Sequence, residues 1–192
     1  MNYKIVKILL LSSFFNIANA ANIAYAPKAA PGDTATAGVG KEWPTTRFTV
    51  DTTEECAIDN LTGLMWPRNG NLLGAGSWGS ASTSGTAQNL VAEMNSNPSA
   101  TGYHLCGYSD WRLPNINELL SLFNYSATNG NQANWLNGTE IFSDVQGSEY
   151  WSSTPYSGSG GGAWYVYMAT GLTGVYSDLS RSLSVWPVRG GK

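Results

Sequence analysis

The apolar positions of this chain change period along its length. In "TAQNLVAEMN", Ala87, Leu90, Val91 and Met94 fall on one helical face. In "NINELLSLF", Ile116, Leu119, Leu120 and Phe123 recur at i, i+3, i+4 and i+7. Each pattern predicts a helix with one buried stripe. The second has a clear start, because Asn115 can accept from the free amides of the first turn and Glu118 can reach back to the Asn115 amide. Pro114 keeps the preceding chain extended, so Trp111 and Arg112 are delivered to a defined place. In "AWYVYMATG" the period falls to two. Trp164, Val166 and Met168 alternate with Tyr165, Tyr167 and Ala169, which predicts a strand with one core face and one wet, aromatic face.

Between these segments the signals are shorter. Phe48–Val50 and Leu64–Trp66 read as paired strands around turn chemistry at Asp59-Asn60 and Thr62-Gly63. The Gly/Ser-rich run from Gly70 to Gly85 reads as a loop, and so does the Asn-rich run from Asn124 to Gly138, whose Trp135 is expected to plug the core. Gly171 and Gly174 suit a turn. The closing "VWPVRGG" is extended, with Pro187 implying an edge or a bulge. The chain carries eight Trp. Together these predict a small α+β domain in which two helices pack on an antiparallel sheet with long loops around an aromatic core.

The front of the chain has a different character. "MNYKIVKILLLSSFFNIANA" has basic, apolar and small-residue zones in the order of a secretory signal, so residues 1–20 are expected to be removed on export. Residues 21–42, rich in Ala, Gly, Pro and Thr, read as a flexible spacer, which leaves 43–192 as the domain. Loss of Lys4 and Lys7 leaves 8 basic against 13 acidic residues and moves the formal charge from −3 to −5. That balance argues against nucleic acid as a partner. Charged residues make up 12% of the chain, about half of the ~25% usual in globular domains, so the surface is polar but mostly uncharged. No segment approaches the ~20 apolar residues of a membrane span. The expected destination is the periplasm, the cell surface or the medium.

Cys56 and Cys106 both lie in the exported part, where thiols oxidise, and a disulfide between them is the expectation. Closing a loop of ~50 residues would constrain the unfolded chain by about 4 kcal/mol in the loop-entropy account. Two buried free thiols are the alternative. Zinc fits worse, because His104 is the only histidine and no carboxylates stand at ligand spacing. No cofactor or metal is expected.

"AIDNLTGLMWPR", "GYSDWRLPNINELLSL", "IFSDVQGSEYWSST" and "VWPVRGG" stand in the order and spacing of the Lcl C-terminal domain family, named from a bacterial collagen-like adhesin, which this chain resembles from about Phe48 to Gly191. The "RLPN" and helix element is also similar to a segment of the formylglycine-generating-enzyme group. The resemblance implies a C-type-lectin-like, sulfatase-modifying-factor-like fold in which Trp111 and Arg112 belong to the scaffold. It also implies a binding module, in one case an adhesin for sulfated glycans. This chain departs from that case in its acidic balance and in having no Gly-X-Y repeats, and only clustering of Arg68, Arg112, Arg181 and Arg189 would restore an anion-binding patch. The Glu-Pro-Asn or Gln-Pro-Asp and Trp-Asn-Asp signatures of calcium-dependent lectins are absent.

The tail resembles a second group, the variable proteins of diversity-generating retroelements, in keeping Ala163, Trp164, Val166, Gly171, Pro187, Val188 and Arg189 of their frame. From Ala169 to Val185 there is no Lys, Glu, Gln, Met or Trp, the residues that changes at both adenines of an Asn codon cannot produce, and no Asn follows Asn137. Trp186 stands where that frame usually has Arg. A plainer account is that Tyr, Ser and Thr suit a solvated sheet face. Under either account the expected ligand-binding residues are Tyr165, Tyr167, Tyr176, Asp178, Arg181 and Trp186, taking a protein or glycan ligand on a surface. The sequence leaves oligomerisation open.

Catalytic signals are weak. His104 lies two residues before Cys106 with no nucleophile motif around it, and Asp144 and Glu149 are isolated carboxylates. The formylglycine oxidase holds copper on a late cysteine pair, a position that Cys56 and Cys106 do not occupy. The expectation is therefore a non-catalytic binding or adhesion module. The alternatives are a glycosaminoglycan-type adhesin and an unusual enzyme on a formylglycine-generating-enzyme-like fold.

Overall fold

A computed structural model describes residues 44–125, 130–158 and 160–190. The expected signal (1–20) and spacer (21–42) lie outside the described residues. The elements run β1 (Phe48–Val50), β2 (Cys56–Asp59), β3 (Met65–Pro67), β4 (Ala75–Gly76), α1 (Ala87–Ser96), α2 (Ile116–Ser121), α3 (Gln132–Gly138), β5 (Glu149–Pro155), β6 (Ala163–Tyr167), β7 (Leu172–Tyr176) and β8 (Leu183–Ser184). A 3₁₀ turn at Leu105–Gly107 precedes α2. This is a mixed α+β arrangement with two sheets. One is antiparallel, β1-β2-β3; the other has the order β4-β8-β5-β6-β7, antiparallel except where β5 meets β8.

Both helices predicted from apolar spacing form where their caps allow. Thr86 accepts from the Asn89 amide at the start of α1. At α2, Asn115 accepts from the Glu118 amide at 2.9 Å and Glu118 Oε2 accepts from the Asn115 amide at 2.8 Å, which completes the capping box. The Asn-rich segment read as a loop contains a third helix. Asn131 caps it by accepting from the Asn134 amide, and Gln132 bonds the Asn124 backbone through both ends of its amide. Trp135 sits on α3, half-buried against the core as expected. The predicted pair of N-terminal strands turns out to be a triplet, because β2 runs between β1 and β3.

The five-stranded sheet separates two apolar clusters. Tyr150, Val166, Met168, Trp186 and Val188 face one of them, together with Trp66, Leu119 and Phe142. Trp151, Ala163, Leu183 and Val185 face the other, together with Val91, Met94 and Trp111. Neighbours in sequence, such as Tyr150 and Trp151, thus enter different clusters, as strand alternation requires. The aromatic core is tightly ordered: Trp186 meets Trp66 at 5.5 Å and Phe142 at 5.3 Å between ring centroids, both edge-on. Tyr150 is fully buried, and burial pushes its phenol up to about 12.

The buried Arg47 and Asp59 are paired, whereas the Trp66 indole N–H is buried with no hydrogen-bond partner among the described residues. Arg47 forks onto Asp59, with Nε to Oδ1 at 2.6 Å and Nη2 to Oδ2 at 2.8 Å, and its Nη2 also reaches the Ser121 carbonyl at 2.6 Å. That ties the β2 turn to the end of α2, and Thr62 and the Leu61 amide add two further bonds to Asp59. Cys56 and Cys106 are joined in a disulfide, which clips β2 to the turn ahead of "DWRLPN". Asp51 approaches both sulfurs, but they are bonded to each other and offer no thiolate to a metal. No helix among the described residues is long and apolar enough to cross a membrane.

Candidate functional site

The "DWRLPN" stretch is built into the scaffold. Trp111 is 2% exposed and donates its indole N–H to the Leu105 carbonyl. Arg112 forks onto Glu118 at 2.7 and 2.6 Å, and its Nη2 also donates to the Gly190 carbonyl at 2.9 Å. The bond to Glu118 holds the guanidinium above its ordinary value despite the burial that opposes it. Backbone bonds between Arg112 and Val188, 2.9 Å in each direction, complete the junction of the helix entrance with the C-terminal strand. The four arginines do not make an anion patch. Arg68 donates to the Ile141, Glu54 and Glu140 carbonyls, and Arg189 pairs with Asp110 over the Tyr108 ring. Arg181 lies over Tyr176.

The residues expected to bind a ligand divide into two groups. Tyr165, Tyr167, Tyr176, Asp178 and Arg181 come together on and beside the β6–β7 hairpin. Register fixes their face: Tyr165 pairs with Trp151 and Gly174, Tyr167 with Glu149 and Leu172, and Ala163 with Tyr176. The Tyr165 and Tyr176 rings stack at 4.5 Å and 15°, and the Arg181 guanidinium sits 4.1 Å from the Tyr176 centroid. The Tyr165 hydroxyl holds the Tyr176 phenol above its ordinary value, helped by desolvation and by the charge of Glu149. Asp178 accepts from the Ser180 hydroxyl and amide, which lower its carboxyl.

Trp186 does not belong to this face. It is fully buried, donates its indole N–H to the Pro67 carbonyl at 3.0 Å and is walled by Trp66, Phe142 and Tyr150. A second correction concerns Tyr165, whose strand face was expected to be free of core duty. Its ring packs on the second apolar cluster and lies over Gly174, where a Cβ would stand 2.6 Å from Tyr165 Cζ. Trp164, expected in the core, is only half-buried and meets Tyr156 edge-on at 5.8 Å. Gly174, assigned to a turn, lies inside β7.

The face contains a residue that sequence reading placed elsewhere. Glu149, read as an isolated carboxylate like Asp144, stands beside Tyr167 at the start of β5. Gly147, Ser148, Glu149, Tyr165, Tyr167 and Leu172 line an open depression of about 520 Å³. The hint was available in "EYWSS", since Glu149 is one period-two step from Trp151. Asp144 instead binds Asn71 and Gln146. His104 is exposed, contacts the Asn95 carbonyl through Nε2 and stacks on Tyr103 at 3.9 Å.

The buried "WRLPN" junction, the hairpin face and the closing strand all fall within one family profile, which matches residues 55–189. No curated protein matches the chain. On that profile, which covers most of its length, the chain belongs to the Lcl C-terminal domain family.

Proposed function

We propose that this chain is an exported, non-catalytic ligand-binding or adhesion module with a C-type-lectin-like domain, and that it binds through the β6–β7 face. The observation that carries the reading is the Arg181–Tyr176–Tyr165 stack beside half-exposed Tyr167 and exposed Leu172, 68% accessible. Tyr gives large contact area and a hydrogen bond at low cost in side-chain freedom, and Arg is enriched among the residues that dominate binding. The dispersed arginines favour this reading over a sulfated-glycan adhesin, and the exposed, carbonyl-bound His104 favours it over an enzyme.

The test layers the labelled full chain over an array of surface proteins and one of glycans that includes heparin and uncharged dextran. Tyr167→Ala should weaken the retained interaction at least about tenfold with little change in melting temperature. Unaltered retention by Tyr167→Ala would sink the assignment of this face, and retention by heparin alone would return the reading to the glycosaminoglycan adhesin.

One observation also favours diversification. The frame residues Ala163, Val166 and Val188 are buried, whereas Thr170, Leu172, Thr173, Ser177, Asp178, Ser180, Arg181 and Ser182 between them are exposed. Sequencing the flanking DNA should then find a reverse transcriptase and a template copy of the 3′ end with mismatches confined to adenines. Absence of both removes diversification and leaves the binding face.

A further inference from the structure

We propose that the depression between Tyr165 and Tyr167 takes an organic cation, an ammonium or guanidinium group, with the rings as π faces and Glu149 as the countercharge. The inference rests on the binding-face reading and names the chemistry that face selects.

The argument starts from pairing. Each of the three ion pairs seen among the described residues joins an arginine to a carboxylate: Arg47 with Asp59, Arg112 with Glu118, and Arg189 with Asp110. Glu149 is half-buried, yet no described basic side chain lies within ion-pair distance of it. Among the described residues its side chain takes one hydrogen bond, a long one from the Tyr176 hydroxyl at 3.4 Å. Arg181, the nearby cation, is engaged with the Tyr176 ring. A half-buried carboxylate with no basic partner among the described residues is a place where a cation from outside the chain can complete the pair.

Its surroundings suit the same guest. Glu149 and Tyr167 are cross-strand partners, so their side chains rise from one face, and Tyr165 is the next residue along on that face. Gly147 and Ser148 leave the near wall low, and Leu172 gives an apolar wall across from Tyr167. Tyrosine faces attract cations through their quadrupole, and the attraction grows as water is excluded. An anionic group would meet Glu149 and be repelled, whereas a neutral group would gain the apolar contact alone.

The experiment titrates the full chain with choline and with methylguanidinium, and in parallel with 3,3-dimethylbutan-1-ol, the uncharged analogue of choline. The readout is the tyrosine ring resonances. Both cations should shift Tyr165 and Tyr167 saturably, with the alcohol about tenfold weaker or worse. Glu149→Gln should weaken both cations about fivefold or more and leave the alcohol unchanged, whereas Tyr125→Ala, at a 74% exposed ring outside the depression, should change nothing. Equal affinity for choline and the alcohol, no saturable shift, or full cation binding by Glu149→Gln would each overturn the cation site. If the site fails while Tyr167→Ala still loses array retention, the binding face stands without it; if both fail, neither reading survives.

Discussion

The helix entrance and the β6–β7 face are built from the same side-chain types and end in opposite states. At the entrance, Arg112 and Glu118 bond each other and the backbone, and Trp111 donates its indole N–H to the Leu105 carbonyl beside them. On the hairpin, Tyr165, Tyr176, Arg181 and Glu149 also lie together, but the arginine rests on a ring and the carboxylate keeps a side open. An aromatic–Arg–carboxylate cluster therefore says little about role until its pairing is known. Satisfied, it is a joint; unsatisfied, it is a place for a guest.

The largest expected effect tests Trp186, which sequence reading placed on the open face and the fold places in the closed region. Trp186→Ala should cost about 3–5 kcal/mol in urea unfolding, as a large core truncation does. A loss under 1 kcal/mol would return it to the surface. Tyr150 tests the closed region by titration. Its folded-state value, raised to about 12 from an ordinary value of 10.0, means that the neutral phenol is the form the fold accommodates. Stability is then complete below about pH 10 and falls as pH climbs towards about 12, by roughly 2–3 kcal/mol at the end. An absorbance titration showing Tyr150 ionised at pH 10 in folded protein would contradict that burial.

The sharpest comparison sets two glutamates side by side. Glu118→Gln breaks the fork to Arg112 and weakens the capping box, and should cost about 2–3 kcal/mol. Glu149→Gln removes a carboxylate with no basic partner among the described residues, and should stay within about 0.5 kcal/mol. Equal costs in thermal melts would erase the distinction between joint and open site.

Much of this was legible from local signals. Asn115 and Glu118 announce one helix start through neighbours in sequence, the apolar spacing of "TAQNLVAEMN" announces another helix, and "WYVYM" announces a strand. The α3 helix was hidden because Asn-rich segments favour turns, and its main support, Gln132 on the Asn124 backbone, is a return contact with no periodic pattern. The Arg47–Asp59–Ser121 tie joins three separated segments, so no spacing shows it. Trp186 was misplaced for a different reason. Both faces of the central sheet are covered, so Val185 and Trp186 are each fully buried although they point opposite ways, and alternation stops reporting exposure.

Gly174 gives the hairpin a form of remote control. Because the Tyr165 ring occupies the space a methyl group would need on the neighbouring strand, Gly174→Ala would alter Tyr165 without touching its codon. Its ring is the free end of a flexible side chain, so it would swing aside rather than unfold the sheet. One small inherited change on β7 could thus redraw the shape offered by β6, and selection for a new partner would find its first step at a residue that never meets that partner.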